Sequence, residues 1–445
     1  MMKKMLVLGG GESGVGAAVL ASMNGYKVFL SDNGIIKDKY KSILTRYPIL
    51  WEEGGHSEEF LSDVSLVVKS PGIPFNIPIV QSFIKDGIDV IDEIEFASRY
   101  TNATLICITG SNGKTTTSML THHILSKGGK KVGLAGNIGR SLAYQVATMD
   151  FDTYVIELSS FQLDGMTSFR ADFAAIMNIT PDHLDRYEYS LEKYANSKFR
   201  ITRNMRRSNL FLYCADDELS RRFVSEIESS PRIKSFGLSS SADFTVEYDT
   251  KVLKMPLSKL SLKGRHNQYN CMVAATAAMY MNIDEKYIKE GLADFTPVEH
   301  RLEPVAVIDG VQYINDSKAT NVDSCWYALD SIENSIVWIV GGKDKGNDYS
   351  ALDSLVKNKV KAIVCLGVDN VKLRKAFSSI VDKIEEASSA KEAVKKANFM
   401  AAEGDVVLLS PCCASFDLFK SYEDRGEQYK RAVINLKDST NGKIC

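Results

Sequence analysis

Nowhere in this 445-residue chain does an apolar run approach the roughly 18 residues that a membrane span requires. The short stretch Met5-Leu6-Val7-Leu8 breaks at three glycines, so neither a secretion signal nor an anchor is expected. No block of a single charge exists: 54 Lys and Arg face 56 Asp and Glu, for a formal net charge of -2. Such a balance argues against nucleic acid or a membrane surface as the principal partner. Cysteines at metal-ligand spacing are missing too. The eight present (Cys107, Cys214, Cys271, Cys325, Cys365, Cys412, Cys413 and Cys445) are scattered, mostly in apolar runs, and read as reduced thiols of a cytoplasmic protein. Neither low-complexity tracts nor a repeat of solenoid period is found. With 44% hydrophobic and 25% charged residues the composition is globular, and the length suits about two to four domains, each burying its own core.

Short apolar strands alternate with helical patterns. Met5 to Leu8 runs into Gly9-Gly10-Gly11-Glu12-Ser13-Gly14 and a helix to Met23; Lys27 to Ser31 ends at Asp32; Leu66-Val67-Val68 ends at Ser70-Pro71-Gly72. This alternation predicts an α/β fold with a parallel, Rossmann-like N-terminal domain, residues 1-94. A new strand, Leu105 to Ile108, opens into Thr109-Gly110-Ser111-Asn112-Gly113-Lys114-Thr115-Thr116 and starts a central P-loop ATPase-like domain, residues 95-297. Its further strands are read at 153-156 and 173-177, with less regular pieces near Leu210 and Phe244. A C-terminal Rossmann-like domain, residues 298-445, repeats strand-then-loop at 336-340, 362-366 and 406-409. Ligands of open parallel sheets bind beyond the carboxyl ends of the strands, where these loops lie.

Glycine-rich turns let backbone N–H groups approach phosphate, and a following helix N-terminus adds a favourable dipole. Gly9-x-Gly11-x-x-Gly14, with Asp32 eighteen residues on, matches a dinucleotide fingerprint. The second turn is more specific, since Lys114 can neutralise terminal phosphates while the Thr115 or Thr116 hydroxyl reaches magnesium. It departs from the full P-loop spacing, because Ile108 stands where the pattern asks for glycine. Glu157 directly follows the strand Tyr154-Val155-Ile156, a position suited to a metal-binding carboxylate, although a lone strand-end Glu is usually a solvated charge. His183 lies in the dense polar cluster Asn178 to Asp185 after another strand. His56, His122 and His123 read as solvated. Lys198 sits on an amphipathic helix and by pattern alone is a surface charge. Glu299-His300-Arg301 and Asn315 to Asn321 look too rich in acid, amine and hydroxyl for simple solvation.

In this order the sequence resembles the Mur ligase family along essentially its whole length. The resemblance rests on Gly110 to Thr116, Ala135 to Gly139, Glu157 to Leu163, Asn178 to Asp185, His266-Asn267-x-x-Asn270, His300-Arg301, Asp316 to Asn321, and Leu409 through Arg425-Gly426. It implies an ATP-dependent amide ligase of peptidoglycan precursor synthesis that needs Mg2+, with UDP-N-acetylmuramoyl-L-alanine and D-glutamate as small-molecule substrates, acting as a monomer. It further implies that Gly110, Ser111, Asn112, Gly113, Lys114, Thr115, Thr116, Asn270, Arg301 and Asp316 bind ATP. Thr115, Glu157, His183 and a carbamylated Lys198 would hold metal, and Lys114, Glu157, His183, Lys198 and Lys318 would serve catalysis. Gly11, Ser13, Gly14, Asp32, Ser70, Pro71, Gly72 and Asn137 match the UDP-substrate side, so the first turn would take UDP and not a nicotinamide dinucleotide. Lys318, Thr320, Lys345, Ser415 and Tyr422 match the D-glutamate side; the loop Gly341 to Gly346 also offers Lys343. A dehydrogenase would leave the second phosphate loop unexplained. A nucleotide-binding scaffold would not need Glu157, His183, Lys198 and Lys318 together, and another amino-acid ligase of the same family is the remaining alternative.

Overall fold

In the computed structural model, residues 3–238, 243–296 and 299–441 are described, with side chains as far as residue 437. The expected boundary at residues 297 and 298, and Cys445, lie outside them. Among the described residues, three large sheets flanked by helices and one two-stranded hairpin make up the fold. The chain divides into two compact units, Met1–Leu260 with Gln268–Phe295, and Ser261–Asn267 with Thr296–Cys445.

The first unit holds two sheets. One consists of β1 (Lys4–Leu8), β2 (Lys27–Asp32), β3 (Ile49–Glu53), β4 (Leu66–Lys69) and β5 (Val90–Asp92), in the order β3-β2-β1-β4-β5. All pairs are parallel. β1, the central strand, is apolar on both faces because helices cover both, the sequence mark of a parallel sheet. The second sheet comprises β6 (Thr104–Thr109), β7 (Val132–Gly136), β8 (Thr153–Glu157), β9 (Phe173–Ile176), β10 (Leu210–Cys214) and β11 (Arg232–Phe236), in the order β11-β10-β9-β6-β8-β7, again parallel. The strand expected near Phe244 is β12 (Asp243–Tyr248). It pairs antiparallel with β13 (Lys251–Pro256) as a separate hairpin. Its one-sided alternation, Phe244 and Val246 buried between polar residues, is that of a half-solvated antiparallel ribbon.

One apolar cluster runs through both sheets of this unit, from Met5 and Val7 to Tyr154, Ile156 and Phe211, and a second, around Leu6, Phe29 and Val67, lies on the other face of the first sheet. Where the helices Glu12–Met23 and Leu142–Thr148 meet, the buried Glu93 carboxylate accepts from Ser141 Oγ at 2.7 Å and Ala143 N at 2.6 Å. The approach is so close that a methyl group at Gly16 would lie 1.9 Å from Ser141 Oγ.

Burial raises the Glu93 carboxyl to about 7, and burial with Glu93 next raises Asp92 to about 8. Both hold protons more tightly folded than unfolded. Their contribution to stability is therefore present below the unfolded carboxyl range, about 4, and lost as pH rises through about 7 to 8. The urea midpoint of this unit should fall between pH 6 and pH 8.5, and Glu93→Gln, which keeps the accepting oxygen, should flatten that dependence. A midpoint insensitive to the substitution at both pH values would refute the assignment.

The second unit has β14 (Glu303–Ile308), β15 (Val311–Asn315), β16 (Ile336–Val340), β17 (Val360–Leu366), β18 (Ile384–Ala387) and β19 (Val406–Leu409), in the order β14-β15-β19-β16-β17-β18. It is parallel except for the β14–β15 hairpin, so the sheet is mixed. Gly310 at φ +75° turns that hairpin. Trp338, wholly buried, centres one face of this sheet, and Tyr313 with Tyr429 the other.

Candidate active site

In the first unit the loop after β6 leads into the helix Lys114–Lys127, with Gly110 and Gly113 at φ +139° and +84°. A side chain at Gly113 would meet Asn270 Oδ1 at 2.5 Å, so glycine is required there by both φ and space. Residues after β9 brace the loop: Ser111 N donates to Asn178 O (2.9 Å), Asn112 N to Asn178 Oδ1 (2.8 Å) and Ser111 Oγ to Thr180 O (2.8 Å). Lys114 Nζ donates to the Gly110 and Ser111 carbonyls, each at 2.8 Å. Thr115 and Thr116 open the helix, both buried, and Asn270 accepts from Thr117 Oγ1 at 3.0 Å.

Lys198 overturns the reading of its helix pattern. It lies on Leu191–Phe199 with 1% exposure, and its Nζ donates to Gly110 O at 2.8 Å. Burial, then the Lys114 cation, pushes its ammonium well below the usual lysine range. Glu157 is likewise no solvated charge: it is buried at the end of β8, and its Oε1 accepts from Asn137 Nδ2 at 2.8 Å. Its Oε2 is buried with no hydrogen-bond partner, an acceptor arrangement that fits a divalent cation. His183 stands at φ +51°, part exposed, 3.7 Å from Asp182 and edge-on to Phe161. His56 is exposed, as its sequence context suggests, whereas His122 and His123 are partly buried. His56 Nδ1 lies 2.6 Å from Ser31 Oγ, His122 bonds the Val132 carbonyl, and His123 pairs with Asp294.

The first glycine turn is built on the same plan. Asp32 accepts from Gly10 N at 2.5 Å and Gly34 N at 2.7 Å, which fixes the turn over the end of β2. A methyl group at Gly14 would sit 1.8 Å from the Gly9 carbonyl. Gly11 and Gly72 are exposed, Ser13 and Pro71 partly so, and Ser70 Oγ is buried with no hydrogen-bond partner.

The second unit gathers its own group. Asp316, buried beyond β15, accepts from Ser410 Oγ at 2.8 Å and Leu302 N at 3.2 Å; burial raises its carboxyl to about 7. Arg301 Nε is buried with no hydrogen-bond partner. Lys318 Nζ lies 5.3 Å from the Tyr422 ring centroid, Ser415 is buried, Thr320 is partly exposed, and Lys345, like Lys343, is exposed. Among the described residues one cluster, Glu299, His300 and Glu427, has three donors close enough for a metal. The Lys430 ammonium already bonds both its glutamates. Sequence reasoning left Asn178, Thr180 and Arg425 without roles, although all three stood inside motifs already singled out; their signal was a polar residue just past an apolar strand or within a charged run.

Three family models match the chain: the MurD N-terminal domain at residues 4–77, the Mur ligase middle domain at 108–278, and the Mur ligase glutamate ligase domain at 300–413. The UDP-N-acetylmuramoylalanine--D-glutamate ligase of Bacteroides fragilis is 50% identical over 444 residues, covering 98% of this chain and 100% of the relative. The enzyme of the same name from Porphyromonas gingivalis is 50% identical over 443 residues, covering 97% and 98%. A pseudomurein peptide ligase type C from Methanothermus fervidus shares the fold, with a TM-score of 0.62 at 20% identity over 98% of this chain and 100% of that one. The chain belongs to the Mur ligase family.

Proposed function

We propose that the protein joins D-glutamate to UDP-N-acetylmuramoyl-L-alanine at the expense of ATP, in peptidoglycan precursor synthesis. The observation that carries this reading is full-length likeness to relatives of that activity, together with a glycine loop whose Lys114, buried Lys198 and orphaned Glu157 oxygen converge within one unit.

The substrate carboxylate attacks the γ-phosphorus of ATP, which forms an acyl phosphate and releases ADP. The D-glutamate amine then adds to the acyl carbon, phosphate leaves with the electron pair of the broken C–O bond, and the nitrogen loses a proton. The physical obstacle is bringing anions together. Lys114 and the loop N–H groups from Gly110 to Thr116 meet the phosphates, while Asn270, Arg301 and Asp316 hold the nucleotide; the orphaned Arg301 Nε suits an acceptor on it. Thr115, Glu157, His183 and Lys198 would hold Mg2+, which when bound supplies further neutralisation of phosphate charge. Burial favours the free amine of Lys198, the form that adds to carbon dioxide to give a carbamate. Gly11, Ser13, Gly14, Asp32, Ser70, Pro71, Gly72 and Asn137 receive the UDP-linked substrate. Lys318, Thr320, Lys345, Ser415 and Tyr422 receive D-glutamate, whose two carboxylates suit paired lysines. The chain acts as a cytoplasmic monomer with residues 1–94, 95–297 and 298–445 as its working domains. Among the described residues, no helix is long and apolar enough to cross a membrane.

Phosphate release from ATP with the UDP-linked substrate present is expected with D-glutamate and not with L-glutamate, L-alanine or a dibasic amino acid. The UDP product should gain the matching mass. Release driven by a different amino acid would reassign the C-terminal pocket, and release driven by none would sink the proposal.

A further inference from the structure

Arg425 is 1% exposed, one of the largest wholly buried side chains. It lies in the helix Tyr422–Asn441, within the charged run Glu423-Asp424-Arg425, where a solvated arginine would be ordinary. Its guanidinium points inward. Nε donates to Ser317 Oγ at 3.0 Å, Nη2 to the Ser317 carbonyl at 2.9 Å, and Nη1 to the carbonyls of Cys413 at 3.2 Å and Gly341 at 3.4 Å. Ser317 Oγ in turn donates to the Tyr422 carbonyl at 2.8 Å. One planar fork therefore joins four segments: the loop after β15, the glycine loop after β16, the loop after β19, and the start of its own helix. These segments carry, in order, Lys318 with Thr320, Lys345, Ser415 and Tyr422.

The partners are chemically telling. All are neutral oxygens, and among the described residues no carboxylate lies within ion-pairing distance of Arg425. A buried cation ordinarily finds a carboxylate, because desolvating an unpaired charge is costly. Burial lowers this guanidinium to about 10, while Asp417 and Asp316, beyond ion-pairing distance, favour its charge, so it remains a cation at neutral pH. The backbone is shaped to admit it. Gly342, at φ +132°, has Nη1 3.2 Å from where a methyl group would stand, and Cys412 holds the left-handed conformation at φ +57° to bring the Cys413 carbonyl inward.

We infer that Arg425 is the positioning residue of the amino-acid pocket: its fork sets the spacing of the four segments that meet D-glutamate. This rests on the proposed reading of D-glutamate as substrate. Lysine in this place keeps the charge but loses the fork; glutamine loses the charge.

The experiment measures KM for D-glutamate, ATP and UDP-N-acetylmuramoyl-L-alanine with wild type, Arg425→Lys, Arg425→Gln and Ser317→Ala. Near-UV circular dichroism reports the packing around Trp338. The KM for D-glutamate should rise about tenfold in Arg425→Lys, further in Arg425→Gln, and about threefold in Ser317→Ala, with the KM for the UDP-linked substrate unchanged. Guanidinium or methylguanidinium should partly restore Arg425→Gln. If Arg425→Gln loses its near-UV signal, Arg425→Lys and Ser317→Ala decide. Wild-type KM for D-glutamate in folded variants, or an equal rise for all three substrates, would overturn the inference in favour of a purely architectural arginine. A wild-type protein with no D-glutamate-dependent phosphate release would overturn the underlying reading instead.

Discussion

Lys198→Ala should lower turnover about 10^3-fold, the scale of losing a group that stabilises charge at the reacting centre. An uncharged side chain in this buried position removes a nitrogen that donates to Gly110 O, so the phosphate loop loses a brace together with the carbamate nitrogen. The two losses are separable. If the carbamate is the working species, a short-chain carboxylic acid placed in the vacated space supplies a similar anion and restores part of the rate. If only the brace matters, carboxylic acids do nothing while ATP binding, measured by titration calorimetry, weakens. Full activity in the variant would remove Lys198 from the site.

Glu157→Gln should be nearly as severe, about 10^3-fold in kcat, while leaving the fold intact or slightly more stable. The amide retains the oxygen that takes the Asn137 donor at 2.8 Å. It replaces the orphaned buried oxygen, and with it the negative charge that attracts a cation. The diagnostic is the magnesium dependence: the variant should need far more Mg2+ to reach its own maximum rate, with an unfolding midpoint no lower than wild type. An unchanged Mg2+ requirement would mean that Glu157 acts in some way other than metal binding.

The parts of this molecule that could be read in advance were those where local chemistry and topology agree. A buried strand that runs into Gly-x-x-Gly-Lys-Thr and then a helix has few alternatives, and β6 with its loop is placed accordingly. Weaker strands escaped. β14 and β15 mix polar and apolar residues along an edge hairpin, and β18 (Ile384–Ala387) buries little besides Ala387. Lys198 and Arg425 escaped for a different reason. Helical periodicity assigns a charged residue to solvent unless a distant segment supplies partners, and here the partners are Gly110 for one and Ser317, Gly341 and Cys413 for the other. Apart from Cys413, 12 positions from Arg425, these partners lie 84 to 108 positions away and leave no local trace. The resemblance to a known family, rather than periodicity, pointed to Lys198; Arg425 stood in a motif of that resemblance but was given no role.

The Glu93–Ser141 contact and the core that runs through both sheets of the first unit bear on how such a chain can be recombined. The first ninety or so residues look like a transplantable cassette, since they complete a sheet of their own. Cut there, however, the helix Glu12–Met23 would lose the face against which Gly16 and its alanines are fitted, and a carboxylate near neutrality would be left facing water. A chimera that exchanges the segment for a homologous one must therefore carry Leu142–Thr148 with it, so the heritable module of this protein is larger than the sheet that defines it.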